Sequence, residues 1–201
     1  MQHSHNHTQQ LPAPTTCKQA IKNWEEKNGE SPAEAREVSL IGQIPPLQKL
    51  DESINQFENC TKLSLSTNAI ERMISMPKLK QIRILSLGRN NIRRFQFLDE
   101  LAGSLEELWI SYNQIQSLEG IQACTKLHTF YISNNKISNW SELEKVATLE
   151  KIVNVVFTGN PIYGDESNRQ NWPKVCKMIP QIENIDGNIV TEEVKREARD
   201  V

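Results

Sequence analysis

The sequence is poor in the features that usually carry chemistry. Of its 201 residues only eight are glycine and four are histidine. It contains no G-x-x-x-x-G-K-S/T phosphate loop, no G-x-G-x-x-G, no G-x-S-x-G nucleophile elbow and no H-E-x-x-H zinc motif. The four cysteines, Cys17, Cys60, Cys124 and Cys176, never fall in C-x-x-C spacing, so they read as reduced thiols packed in or near a core. Charge of one sign is also missing: 23 basic against 25 acidic side chains leave a net charge of -2, too little excess base for a general nucleic-acid coat. No apolar run of about 18 residues exists to span a bilayer. The polar start from Met1 to His7 does not read as a secretory signal, so the expectation is an intracellular chain. The triplets at Asn6 and Asn59 then never meet the glycosylation machinery.

Against these absences stands one strong presence, an internal repeat. On the template L-x-x-L-x-L-x-x-N-x-I, residues 60–70 read CTKLSLSTNAI, 82–92 IRILSLGRNNI, 105–115 LEELWISYNQI, 127–137 LHTFYISNNKI and 152–162 IVNVVFTGNPI. The starts at Cys60, Ile82, Leu105, Leu127 and Ile152 are 22, 23, 22 and 25 residues apart. A degenerate earlier copy runs through Val38 and Leu40, with Gln43 where the others carry Asn. This is a leucine-rich repeat. The fold class is therefore α/β: a solenoid of about six repeats of 22–25 residues, with parallel strands on the concave face and short helices on the convex face.

Each template position has a physical job. Alternation in L-x-L turns two apolar side chains inward and the middle one outward. The ninth-position amides, Asn68, Asn90, Asn113, Asn135 and Asn160, turn the chain off the strand and pair with buried backbone groups of neighbouring coils. These are structural residues. The ends of a solenoid must be covered, and the chain divides accordingly: a disordered tail over 1–14, an N-terminal cap helix over 15–34, repeats over 35–165, and a C-terminal cap with a charged terminal helix over 166–201. Thr16 is the expected N-cap of the first helix and Trp24 its anchor. After Trp172 a helix, a break at Pro180 and a strand-like turn lead to a last helix starting at Thr191.

No catalytic constellation survives inspection, and neither a metal nor a cofactor is expected. His128 reads as a solvated residue beside a strand. His3, His5 and His7 read as part of a polar tail rather than a metal site. What the solenoid presents outward is more informative. The middle positions are Ser39, Ser64, Ser86, Trp109, Tyr131 and Val156, small in the first half and large in the second. With Ile84 and Tyr112 they form a candidate protein-binding patch, because interface anchors favour Trp and Tyr. Charge is banded: Arg72, Lys78, Lys80, Arg83, Arg89, Arg93 and Arg94 precede Asp99, Glu100, Glu106 and Glu107. Such bands serve either as solvated surface or as electrostatic contact. Lys195, Arg196 and Arg199 make a second basic group, diluted by neighbouring acids.

Three blocks bring the match closer than fold class: residues 85–92 (LSLGRNNI), 105–115 (LEELWISYNQI) and 133–140 (SNNKISNW). Together with 44–47 (IPPL) and 159–163 (GNPIY), they resemble the leucine-rich-repeat light chain 1 family of outer-arm axonemal dynein. The resemblance runs from about Thr16 to Arg199. It implies no enzymatic activity and a place in the cytoplasm and cytoskeleton, at the axoneme of motile cilia. The implied partner is the motor domain of a dynein heavy chain near the microtubule-binding tip of its stalk, with tubulin as a second candidate. No small-molecule substrate, nucleic acid or membrane is implied. On that reading Trp109, Tyr131, Val156, Ile84 and Tyr112 contact the heavy chain, while Arg196, Arg199, Lys195, Arg83 and Arg89 supply electrostatic contact. Two alternatives share the repeat: a regulatory subunit of a protein phosphatase, whose solenoids are typically longer, and a ribonucleoprotein scaffold like that of the U2 particle. The 105–115 block fits the dynein light chain better.

Overall fold

The computed structural model describes residues 11–165 and 168–201. The histidine-bearing start of the 1–14 tail lies outside the described residues, and 11–14 are exposed without regular structure. The first ordered tie is Thr15, which bridges to Leu47 and whose Oγ1 donates to the Pro45 carbonyl.

Six strands of three residues each stack in parallel and in register: β1 Glu37–Ser39, β2 Lys62–Ser64, β3 Ile84–Ser86, β4 Glu107–Trp109, β5 Thr129–Tyr131 and β6 Asn154–Val156. The sheet continues past the repeats with β7 Asn184–Ile185, parallel to β6, and closes with the antiparallel β8 Asn188–Ile189. The strand-like turn expected near residue 185 thus extends the sheet to eight strands. Central strand residues Val38, Leu63, Leu85, Leu108, Phe130, Val155 and Ile185 form one buried row, as alternation requires.

The convex arcs differ in detail from the short helices expected. They carry single 3-10 turns at Glu52–Gln56, Leu98–Glu100, Ile121–Ala123, Trp140–Glu142 and Pro161–Tyr163, with one α-helical turn, α2 at Leu143–Ala147. The arc between Ile70 and Leu79 has no helix at all. An arc of so few residues must return to the next strand, and 3-10 geometry covers more length per residue than an α-helix. Buried apolar residues anchor each arc to the core, for example Met73, Met76, Leu98, Ile121 and Leu143.

Both ends are covered. Helix α1, Cys17–Asn28, starts where Thr16 Oγ1 accepts the Gln19 N–H and stops at Gly29 in the left-handed region. It lays Cys17, Ala20, Ile21 and Trp24 on the first coil, with the Trp24 ring edge-on to Phe57 at 5.6 Å. At the other end α3, Asn168–Met178, carries Pro173 inside it and packs on α4, Glu192–Asp200. Arg169 joins the two through a two-pronged bond to Glu197 at 2.7 and 2.9 Å. The Asp186 carboxylate ties the C-terminal cap to the last repeat. Its Oδ1 accepts from the backbone of Phe157 and Thr158, and its Oδ2 accepts from Tyr163 Oη and Trp172 Nε1.

Candidate functional site: the outward face of the sheet

Outward side chains come from two rows of the sheet. One row reads Ser39, Ser64, Ser86, Trp109, Tyr131 and Val156, and the other Glu37, Lys62, Ile84, Glu107, Thr129, Asn154 and Asn184. The structure brings Trp109 and Tyr131 together. Their rings stack at 5.8 Å between centroids and 23° between planes. Trp109 Nε1 donates to Glu107 Oε2 at 3.0 Å, which holds the indole in place and leaves its apolar body half-buried. Val156 follows on the next rung, so the pair continues into an aliphatic surface.

On the other side of Trp109 the row changes from large to small. The drop to Ser86, Ser64 and Ser39 opens a cavity of about 460 Å³, walled by Trp24, Ile41, Ile84 and Trp109. Within it Ser66 and Ser86 satisfy each other at 2.7 Å. Trp24 and Ile41 were not expected to border the outward face. The size step in the row is visible in the sequence, but the approach of the cap helix to that step is not.

One expected member lies elsewhere. Tyr112 sits three residues past Trp109, beyond the end of β4, where the chain turns with φ 58°. Its ring pairs with the Arg89 guanidinium, whose carbon is 4.3 Å from the ring centroid, and not with Trp109 or Tyr131. The eighth template position is left-handed in every repeat, at Gly42, Thr67, Arg89, Tyr112, Asn134 and Gly159. Only two of the six are glycine, so the template alone did not reveal this turn.

The charged residues also divide. Arg83 donates to Glu106 at 2.7 Å, an ion pair between neighbouring repeats. That bond holds the Glu106 carboxyl below its ordinary range. His128 Nε2 is 3.8 Å from the same carboxylate, and its Nδ1 lies 2.8 Å from Thr129 Oγ1. Lys195 is paired with Glu192 along α4 at 2.8 Å. Arg196 and Arg199 are exposed and have no carboxylate within ion-pair distance among the described residues.

The ninth-position amides form a ladder away from this face. Asn113 is typical: its Oδ1 accepts from Ile92 N at 2.9 Å, and its Nδ2 donates to the carbonyls of Leu87 and Ile110 at 3.0 and 3.1 Å. Asn68, Asn90, Asn135 and Asn160 repeat the pattern. All five face backbone groups.

Stacked coils, an amide ladder and a parallel sheet with one outward face define a leucine-rich-repeat protein, and residues 104–145 match the family model described as leucine rich repeats in two copies. Solved structures agree on the fold. The SNF/U2A′ complex of Drosophila melanogaster aligns with a TM-score of 0.58 at 20% identity, over 68% of this chain and 79% of that one. An internalin of Listeria monocytogenes aligns with a TM-score of 0.53 at 14% identity, over 79% and 49%. Closer in sequence are proteins named dynein axonemal light chain 1. That of Rattus norvegicus is 46% identical over 91% of this chain and 97% of its own length, and that of Chlamydomonas reinhardtii 43% identical over 92% and 95%. The chain belongs to the axonemal dynein light chain 1 family.

Proposed function

We propose that this chain is a non-enzymatic regulatory light chain of an outer-arm dynein, working at the axoneme. It docks on the motor domain of a heavy chain close to the microtubule-binding tip of the stalk and modulates ciliary motility. The observation that carries this reading is the Trp109–Tyr131 stack, flanked by Val156 on one side and by Ile84 and the cavity on the other. The strand backbone beneath is paired on both sides, so these outward rings are not needed to complete the sheet. Aromatic anchors beside a recess are where binding energy concentrates in protein interfaces. The exposed Arg196 and Arg199 of α4 add a separate electrostatic contact that favours encounter with an acidic surface, tubulin included.

The test is a pull-down with an isolated heavy-chain stalk tip, beside affinity capture from ciliary extract. Trp109→Ala combined with Tyr131→Ala is expected to weaken stalk binding by about 30-fold or more, equivalent to about 2 kcal/mol. Its circular dichroism and melting temperature should stay close to wild type. Unchanged affinity would remove the outward patch from the contact. Recovery of a phosphatase catalytic subunit or a spliceosomal set instead of an axonemal heavy chain would overturn the function and leave the fold.

A further inference from the structure

The cations of this chain are not partnered evenly. Lys22, Lys62, Lys78, Arg83, Lys145, Arg169 and Lys195 each have a carboxylate within 4 Å. Arg72, Arg89, Arg93 and Arg94 are all exposed and have none among the described residues. The repeat geometry places three of these on adjacent arcs, with Arg89 three residues before Ile92 on the same coil. Bonds from Asn91 N to the Ile70 carbonyl and from Gln114 N to the Ile92 carbonyl, both 2.8 Å, hold consecutive arcs side by side just past the amide ladder. Arg72 follows Ile70 by two residues and Arg94 follows Ile92 by two, so they occupy equivalent places on adjacent rungs, with Arg93 beside them. Glu71, at the place equivalent to Arg93, is the acid that shares this edge.

Arg89 adds a built element. The left-handed turns at Arg89 and Tyr112 bring the guanidinium 4.3 Å from the centroid of a ring that is 47% exposed. The contact holds the guanidinium over the ring without using its N–H fork as a hydrogen-bond donor. Among the described residues no hydrogen bond or ion pair occupies that fork. A guanidinium fork left free in this way matches a carboxylate with two parallel bonds.

We propose that Arg72, Arg89, Arg93 and Arg94, with Tyr112 as a platform, form a docking edge for a carboxylate-rich peptide segment of a partner protein. The edge is separate from the Trp109–Tyr131 face and stands whether or not that face binds a heavy chain. It spans two or three rungs, on the order of 10 Å, the reach of a few side-chain carboxylates. A nucleic acid would find no continuous basic track, because the next arc carries Asp99 and Glu100 and the net charge of the chain is -2.

The experiment is a fluorescence-anisotropy titration of the full chain with a labelled oligoglutamate peptide at low and physiological salt. Replacing Arg89, Arg93 and Arg94 together by Gln is expected to weaken binding by about tenfold or more. Removing the same number of charges elsewhere, by Lys18→Gln, Lys27→Gln and Lys151→Gln at three exposed lysines outside the edge, should change it by less than about twofold. Tyr112→Phe keeps the platform and should bind like wild type, whereas Tyr112→Leu should lose affinity by a few-fold with no change in charge. Trp109→Ala with Tyr131→Ala should leave peptide binding intact, which separates this edge from the stalk contact. The proposal is overturned if the triple variant binds as well as wild type. It is equally overturned if the three lysine replacements cost as much, or if a single-stranded oligonucleotide of equal charge binds more tightly through the same arginines.

Discussion

At the scale of single residues, the amide ladder shows why Asn, and not a residue of similar size, fills the ninth position. Each side chain must accept at least one backbone N–H, two at Asn68, and donate to at least two carbonyls at once. The carbonyls are shared: Leu87 O receives both Asn90 and Asn113, and Ile110 O receives both Asn113 and Asn135. Asn113→Ala therefore leaves the carbonyls one donor each and orphans the Ile92 N–H, a cost of about 2–4 kcal/mol. Asn113→Asp is worse, because a buried carboxylate would then face two carbonyl oxygens. Asn68 is only half-buried, so water can replace part of what Asn68→Ala removes, and that variant should lose less. Urea unfolding of the three variants checks the order; equal losses for Asn68→Ala and Asn113→Ala would show that burial does not set the cost. The same crowding explains Gly159. A Cβ there would lie 2.3 Å from Asn134 Oδ1, and φ is 75°.

At the scale of elements, the convex arcs are joined by carboxylates. Glu100 accepts from Ser75 Oγ at 2.7 Å and Met76 N at 2.6 Å, and Glu142 accepts from Ser117 Oγ at 3.0 Å and Leu118 N at 2.6 Å. The offsets are the same in both places, 25 and 24 residues. Burial pushes the Glu142 carboxyl up, but Lys145, the Leu118 N–H and Ser117 outweigh it and leave it below the ordinary value. A lowered acid contributes stability that is present above the unfolded value of about 4.3 and is lost as pH falls through the folded one. Glu142→Gln is thus expected to cost about 1–2 kcal/mol at neutral pH, and the gap from wild type should close below about pH 4. A gap that persists in acid would mean that packing, not the charge, joins the arcs. These joints were hidden in the sequence because a Ser and a Glu so far apart mean nothing until arcs are known to stack. The strands were legible because one apolar period is imposed by every coil. Arg83 and Glu106 share the second template position on adjacent repeats, so their pairing was readable in principle. Tyr112 was misplaced for the opposite reason: the template fixes spacing but not the left-handed turn that swings the eighth residue away from the sheet.

At the scale of the whole molecule, one apolar core runs from α1 to the C-terminal cap, and the four cysteines sample it along its length. Cys17 lies in the first helix, Cys60 and Cys124 in the coils, and Cys176 in α3; all are buried and free. Burial pushes the thiols of Cys17, Cys60 and Cys176 up to about 11 and that of Cys124 up to about 12. Unfolding in mild alkali therefore releases protons that the folded chain retains. A raised acid contributes stability that is complete below the unfolded value, about 8.5 for a thiol, and that is lost as pH climbs toward the folded value. Each thiol removes about 1.4 kcal/mol per pH unit in that window, so four together remove up to about 5.6 kcal/mol per pH unit. The urea midpoint is expected to hold steady to about pH 8 and then fall steeply, and Cys124→Ala should remove about a quarter of the slope. Tyr163, raised by burial and by the Asp186 charge beside it, adds to the loss above about pH 10. The same thiols report on cooperativity. In a solenoid each coil touches only its neighbours, so the ends can open first unless the caps bind them to the core. Reaction of Cys17, Cys124 and Cys176 with a thiol reagent at increasing urea should begin at one common concentration if the Thr16-capped helix and the Asp186 network hold the ends. Labelling of Cys176 well before Cys124 would show instead that the C-terminal cap opens as an independent unit.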